Sequence, residues 1–372
     1  MGTPPKTARK TFKGVSRARR SRIEIAPKKC PLGITLSDTL KAPFLYFGGK
    51  SKVAAEVWRR FGDVYSYVEP FFGSGAVLLG RPRPFHGFET VNDKDALLCN
   101  FWRAVQADPA AVAHHADWPV NECDLHARHL WLVEHKEDIT DRLILDPEWF
   151  DAKAAGWWVW GISAWIGTGW CTGNGSWGRD ENHFKKFGAK QGIKRKIPYI
   201  GQRGQGINRQ THNGDSGKGG LPSDVMDEGT LNHYFNELAL RLRKVRVCTG
   251  DWSRVVGDSV FARGVCGIFL DPPYDTGNMD YGSGGMGDGI AAQVRDWAVK
   301  LGARSDMRIA LCGYDEHDSL LREGWVPYRW KASGGYGNQN KKGYENASKE
   351  VIWFSPHCIK PEDSVFDLFG ES

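Results

Sequence analysis

No stretch of this 372-residue sequence is apolar over enough residues to cross a bilayer, and no signal-peptide pattern opens it. We therefore expect a cytoplasmic protein with no membrane partner. The eight cysteines contain no Cys-x-x-Cys pair, and without a secretion signal they read as reduced thiols, not as a disulfide framework. Internal repeats are absent. A strong charge of one sign is lacking too: 50 Lys and Arg stand against 44 Asp and Glu, a net charge of +6. That mild basic bias permits a nucleic-acid partner and is equally at home in an unremarkable cytosolic protein. What is present is ordinary for a globular chain, with 41% hydrophobic and 25% charged residues. The length allows one large domain with an insertion, or two domains. The 16 tryptophans suit either a large core or base stacking.

Residues 1–40 are basic and poor in apolar periodicity, with Arg17, Arg19, Arg20 and Arg22 in one short run. They are expected to be a disordered tail or an arm that adds phosphate contacts. Order is expected from Pro43. A helical pattern runs from Ser51 to Phe61, a strand from Val64 to Val68, and a helix starts at Ala76–Leu79. Phe85 to Val91 reads as a second strand. From about Ala104 to Leu231 the character changes. Helical stretches near 120–135 and 152–166 precede a long Gly-rich basic segment. Such a segment within a compact protein is usually functional or disordered. Afterwards come a helix over Leu231–Leu242 and strands at 245–248, 265–270, 308–311 and 350–354, with a helix at 291–301. Alternating strands and helices predict an α/β fold with a mainly parallel sheet.

Two motifs carry chemistry. Glu69-Pro70-Phe71-Phe72-Gly73-Ser74-Gly75 joins a strand to a helix, and Asn92-Asp93 closes the next strand. Glycine there lets backbone approach a ligand, and nucleotide-binding folds place an acid for ribose hydroxyls about 20 residues on. A tight structural turn accounts for the glycines equally well. The second motif, Asp271-Pro272-Pro273-Tyr274, ends an apolar strand. An exocyclic amine on a nucleobase is a poor nucleophile because its lone pair is delocalised into the ring. The Asp271 carboxylate and the Pro272 carbonyl can each accept one amine hydrogen and favour a tetrahedral nitrogen. Two prolines stiffen the loop, and Tyr274 offers a face for base stacking. Taken alone, the same residues also describe a proline-rich turn.

In chain order these motifs join Gly48-Gly49-Lys50, a long insertion and Gly250-Asp251-Trp252. Together they resemble the Dam-type N6-adenine DNA methyltransferases over roughly residues 43–356. Asn346 to Phe354 is similar to C-terminal segments of phage-type members. The resemblance implies a Rossmann-like S-adenosylmethionine-dependent methyltransferase fold with an inserted target-recognition domain. It divides the chain into catalytic parts at 41–104 and 241–358, a recognition insertion at 105–240 and a tail at 359–372. It implies that Lys50, with Phe47 and Gly48, lies by the methionine carboxylate of S-adenosylmethionine. Glu69 and the loop of Gly73 and Gly75 would flank the same moiety and Asp93 would face the ribose, with Phe71 and Asn92 also binding the cofactor. Asp251 would contact the cofactor adenine with Trp252 packed beside it, and Asp271, Pro272, Pro273 and Tyr274 would hold the target base. The activity implied is methylation of adenine N6 in double-stranded DNA, with the base flipped out and no metal. The setting would be a bacterial or phage-infected cell, where methylation protects DNA from restriction.

Weaker signals carry bland readings beside the sharp ones. Lys194, Arg195, Lys196 and Arg203 are expected to contact DNA, although a solvated loop has the same composition. Cys123, His126 and His129 recur at intervals of three, which reads better as a polar helix face than as a zinc site. Trp157, Trp158, Trp160 and Trp165 are expected in the core. Alternatives to the implied activity are methylation of the cytosine N4 amine or of RNA adenine, or a catalytically silent DNA-binding protein of the same fold.

Overall fold

The computed structural model describes residues 40–44, 46, 49–165, 170–171, 177–180, 183–186, 231–261, 263–273, 289–313, 315–330 and 350–361. All of them fall within one unit, Ser37–Ser372. The main sheet contains β1 (Ser66–Glu69), β2 (Phe88–Asp93), β5 (Val245–Thr249), β6 (Cys266–Leu270), β7 (Met307–Gly313), β8 (Val326–Arg329) and β9 (Val351–Phe354). Their order is β5-β2-β1-β6-β7-β9-β8. The strands from β5 to β7 pair in parallel. β9 runs antiparallel between β7 and β8. A separate antiparallel ribbon joins β3 (Trp177–Asp180) to β4 (His183–Lys186).

Strand alternation divides the interior into two cores. Ile268 and Leu270 of β6, Ile309 and Leu311 of β7, and Trp353 of β9 point to one. Phe269, Ala310, Ile352 and Phe354 point to the other. A central strand buried on both faces is what a parallel sheet covered by helices requires. The first core is closed by α10 (Ile290–Gly302) through Val294 and Ala298. The second is closed by α1 (Ala54–Phe61), the single turn α2 (Ala76–Leu79), and a helical layer. That layer consists of α3 (Ala96–Ala107), α4 (Pro109–Ala116), α5 (Glu122–Glu134), α6 (Lys136–Leu145), α7 (Ala152–Ala164) and α8 (Leu231–Leu242). The remaining turn, α9, is Asp258–Phe261.

The helix starts follow local chemistry. Asp95 accepts the Leu97 amide at 3.0 Å, and Asp151 accepts the Ala154 amide at 2.8 Å. Pro109 fills the first turn of α4, where its missing N–H leaves nothing unsatisfied. On α7, Trp158 and Trp160 are buried and Trp157 half-buried, as the core reading expects. Each fully buried apolar side chain of this size contributes roughly 1.5–3 kcal/mol. The polar-face reading of the 123–129 spacing needs correcting. Cys123 is exposed, but His129 is buried with its ring stacked on Trp165 at 4.9 Å. Its Nδ1 accepts the Cys171 amide at 3.3 Å. Burial pulls the imidazole down to about 4.

One buried charge cluster ties three elements together. Glu89 of β2 accepts from Arg81 at 3.1 Å and from both terminal nitrogens of Arg241 on α8, at 2.6 and 2.8 Å. Arg241 also donates to the Leu78 carbonyl of α2 at 3.0 Å.

Candidate active site

In an open α/β sheet, ligands bind beyond the carboxyl ends of the strands where the order reverses. Here that point lies between β1 and β6, whose neighbours lie on opposite sides. The motif residues converge there. After β1, Gly73 and Gly75 take φ values of +49° and +69°, the left-handed region that favours glycine. The Gly73 amide donates to Asp93 Oδ2 at 2.9 Å, and the Gly73 carbonyl accepts Trp102 Nε1 at 3.1 Å. A Cβ on Gly73 would lie 2.9 Å from Cδ1 of Tyr46.

Asn92 fastens this turn to the next loops. Its Nδ2 donates to the Pro70 carbonyl at 3.1 Å and to the Gly250 carbonyl at 3.0 Å, and its Oδ1 is buried without a hydrogen-bond partner. Asp93 Oδ1 accepts the Asp95 amide at 3.0 Å, and the Asp93 carbonyl accepts the Gly250 amide at 2.9 Å. Burial pushes the Asp93 carboxyl up to about 6, against the Asp95 and Gly73 amides, which favour the anion. Beyond β5, Asp251 is exposed and accepts the Ser253 amide at 3.0 Å. The Ser253 hydroxyl and amide hold the Asp251 carboxyl below its ordinary range. Trp252 is buried and stacks against Phe71, with ring centroids 6.3 Å apart and 26° between planes. Phe71, Gly73, Gly75, Asn92, Asp93, Asp251 and Trp252 therefore form one rim.

Across the switch point lies a charged cluster. Lys50 precedes α1, and its carbonyl accepts the Val53 and Ala54 amides at 3.0 Å each. Its Nζ lies 2.9 Å from Asp271 Oδ2 and 3.9 Å from Glu350 Oε2. Burial opposes the Lys50 charge, yet Asp271, Cys312 and Glu350 outweigh it and hold the ammonium above the usual lysine range. Glu69 at the end of β1 is buried and accepts the Tyr67 hydroxyl at 2.8 Å. Burial raises its carboxyl well above the usual range, with nearby Asp271 adding to the rise. Burial raises Glu350 too, against Lys50. The Cys312 thiol of β7 hydrogen-bonds Asp271, and burial raises it well above its ordinary value. Pro272 is buried and Pro273 half-buried beside Asp271.

The structure thus puts the Lys50 head at Asp271. Phe47, Gly48, Tyr274, Lys194, Arg195, Lys196 and Arg203 lie outside the described residues. Tyr67, Trp102, Cys312 and Glu350 touch the candidate site residues and were not assigned a role in the sequence. Among the described residues, no group of three or more His, Cys, Asp or Glu is arranged for a metal ion, and no helix is long and apolar enough to cross a membrane.

The strand order, the reversed β9 and the glycine turn after β1 are those of an α/β protein with the Rossmann-like methyltransferase fold. Residues 46–127 match the family model described as D12 class N6 adenine-specific DNA methyltransferase. Over that stretch the chain is similar to adenine-specific DNA methyltransferases of the D12 class. The matched stretch contains Lys50, Glu69, the glycine turn and Asp93, and ends before Asp251 and Asp271. A search of curated proteins returns no match.

Proposed function

We propose that the chain transfers a methyl group from S-adenosylmethionine to the N6 amine of an adenine flipped out of double-stranded DNA. The observation that carries this reading is Asp271. It directly follows a buried strand paired with β1 at the switch point, with Lys50 at 2.9 Å. The rim fits the methyl donor. It offers a close-approach turn, an acid at the end of β2, the flat Trp252 ring, and a buried Asn92 Oδ1 with no donor of its own. Gly73, Gly75, Asn92 and Asp93 would hold the ribose and methionine parts, with Phe71, Asp251 and Trp252 about the purine. When bound, the donor supplies a methyl group already activated by its sulfonium.

The chain then has to present nitrogen in line with that methyl and keep water out. Extrusion of the base costs a few kcal/mol, recovered through stacking and backbone contacts. Asp271 and the Pro272 carbonyl accept the two amine hydrogens, with Tyr274 stacking on the ring. After transfer the nitrogen is strongly acidic, so Asp271 acts as acceptor and orienter more than as a strong base. Residues 41–104 and 241–358 carry this chemistry, and 105–240 supply target recognition through Lys194, Arg195, Lys196 and Arg203.

The test is nucleoside mass spectrometry on long unmethylated DNA treated with the enzyme and S-adenosylmethionine. N6-methyladenine is expected from the native chain. Asp271→Ala should reduce it by at least about 100-fold while calorimetric binding of the donor is largely kept. An active Asp271→Ala enzyme, or N4-methylcytosine as the product, overturns the reading.

A further inference from the structure

We propose that Cys312 is a positioning residue for the methyl transfer: its thiol donates to the Asp271 carboxylate and sets the plane in which that carboxylate meets the incoming amine. This role rests on the reading of Asp271 given above. Leu270 and Leu311 close the parallel register of β6 with β7, so Asp271 and Cys312 are the next pair across the two strands. Phe269 and Ala310 both face the second core, and strand alternation turns Asp271 and Cys312 to that same face. The two side chains are neighbours by register, and the thiol hydrogen-bonds the carboxylate. Cys312 is 1% exposed, and Ile352 of β9 pairs with it on its other side. An aliphatic side chain would fill such a place as well, but it would bring no donor to Asp271.

The reaction needs this contact. The terminal torsion of an aspartate is broad, so the plane of its carboxylate has to be fixed by what touches it. Lys50 reaches Asp271 from the start of α1, and Cys312 reaches it from β7. An ionised carboxylate has about four acceptor sites, so these donors leave room for an amine hydrogen. A thiol is a weak donor. It fixes the orientation of the carboxylate while drawing off little of the electron density that the amine hydrogen has to meet. Burial, with the Asp271 charge beside it, raises the thiol well above its ordinary value. The sulfur therefore keeps its hydrogen at neutral pH and acts as the donor of the pair.

Single-turnover methylation of long unmethylated DNA, with calorimetric titration of S-adenosylmethionine, tests the role in the full chain. Cys312→Ala and Cys312→Val lack a donor and bracket the thiol in volume. Both should slow the transfer step about three- to tenfold, with donor Kd within about twofold of native. Cys312→Ser brings a donor back and should recover most of the lost rate. A packing role alone predicts the reverse order, because valine suits an apolar core and a buried hydroxyl does not. A valine variant as fast as the serine variant overturns the proposal. If the valine variant does not fold, alanine against serine decides in the same way. The S–H stretch gives a readout independent of turnover. In the infrared difference spectrum of native chain minus Cys312→Ala, the Cys312 band should lie below the position of a free thiol. The same difference taken in the Asp271→Ala background should show the band moved up. A band indifferent to Asp271→Ala refutes the hydrogen bond. An active Asp271→Ala enzyme overturns the base-holding reading and the positioning role with it. An inactive Asp271→Ala enzyme, with serine no better than valine at residue 312, overturns the role of Cys312 alone.

Discussion

Replacing Gly73 by alanine should weaken the turn proposed to meet the methyl donor. Two costs follow from the geometry. At φ +49° an L-residue pays about 1–2 kcal/mol that glycine does not. The new Cβ would also stand 2.9 Å from Tyr46 Cδ1 and 3.2 Å from Cε1, so the ring has to move. Overpacking of this kind adds about 1–3 kcal/mol. The strain has two places to appear. If the turn keeps its shape, the free protein loses stability, and the denaturant midpoint falls at constant slope. If the turn relaxes, the Gly73 amide leaves Asp93, and binding has to restore it. The donor Kd then rises about tenfold for each 1.4 kcal/mol. Urea unfolding and calorimetric titration with S-adenosylmethionine on one preparation measure both. Their combined loss should be at least about 2 kcal/mol. An alanine variant with native midpoint and native Kd would refute the argument from backbone and contact.

Glu89→Gln leaves Arg81 and Arg241 buried without their shared anion, and should cost about 3–5 kcal/mol in urea unfolding; a loss below about 1 kcal/mol would show that the cluster is solvated. His129 has a folded-state value of about 4 against 6.5 in the unfolded chain. The unfolded state therefore binds the extra proton first, and stability should fall as pH drops from about 6.5 towards 4, by up to about 3 kcal/mol. His129→Gln should flatten that limb of the pH–stability curve, and an unchanged slope would assign it to other groups. Asp93, with a carboxyl at about 6, accepts more strongly from Gly73, and on the proposed reading from a ribose, when it is ionised. Donor affinity should fall below pH 6, approaching about tenfold per unit, and Asp93→Asn should remove the dependence; parallel profiles for the two proteins would exclude Asp93 as its source.

The parts of the fold visible in the sequence are those where one physical signal dominates. β6 is a run of apolar residues stopped by two prolines, and α8 matches its expected limits because its buried face recurs at helical spacing. By contrast, α3 is buried continuously from Ala96 through Trp102, and a continuous apolar run does not by itself separate a helix from a strand. Edge strand β8 is four residues long with a proline inside, too short and too interrupted to register. Lys50, the glycine turn and Asp271 stood out by residue type and order. Glu350 stood only within a predicted strand and a segment similar to phage-type members, with no role attached, since the insertion of β9 beside β7 is what brings it to Lys50. Side-chain pairing across distant strands has no local pattern to announce it.

The single amide of Asn92 also has a mechanical consequence. It clips the backbone after β1 to the backbone after β5 while sitting at the end of β2 between them. Three segments that arrive from separate parts of the chain consequently share one fastener and cannot drift independently. A molecule settling on the rim meets a surface set in advance, and most of the ordering entropy of those loops has already been spent during folding.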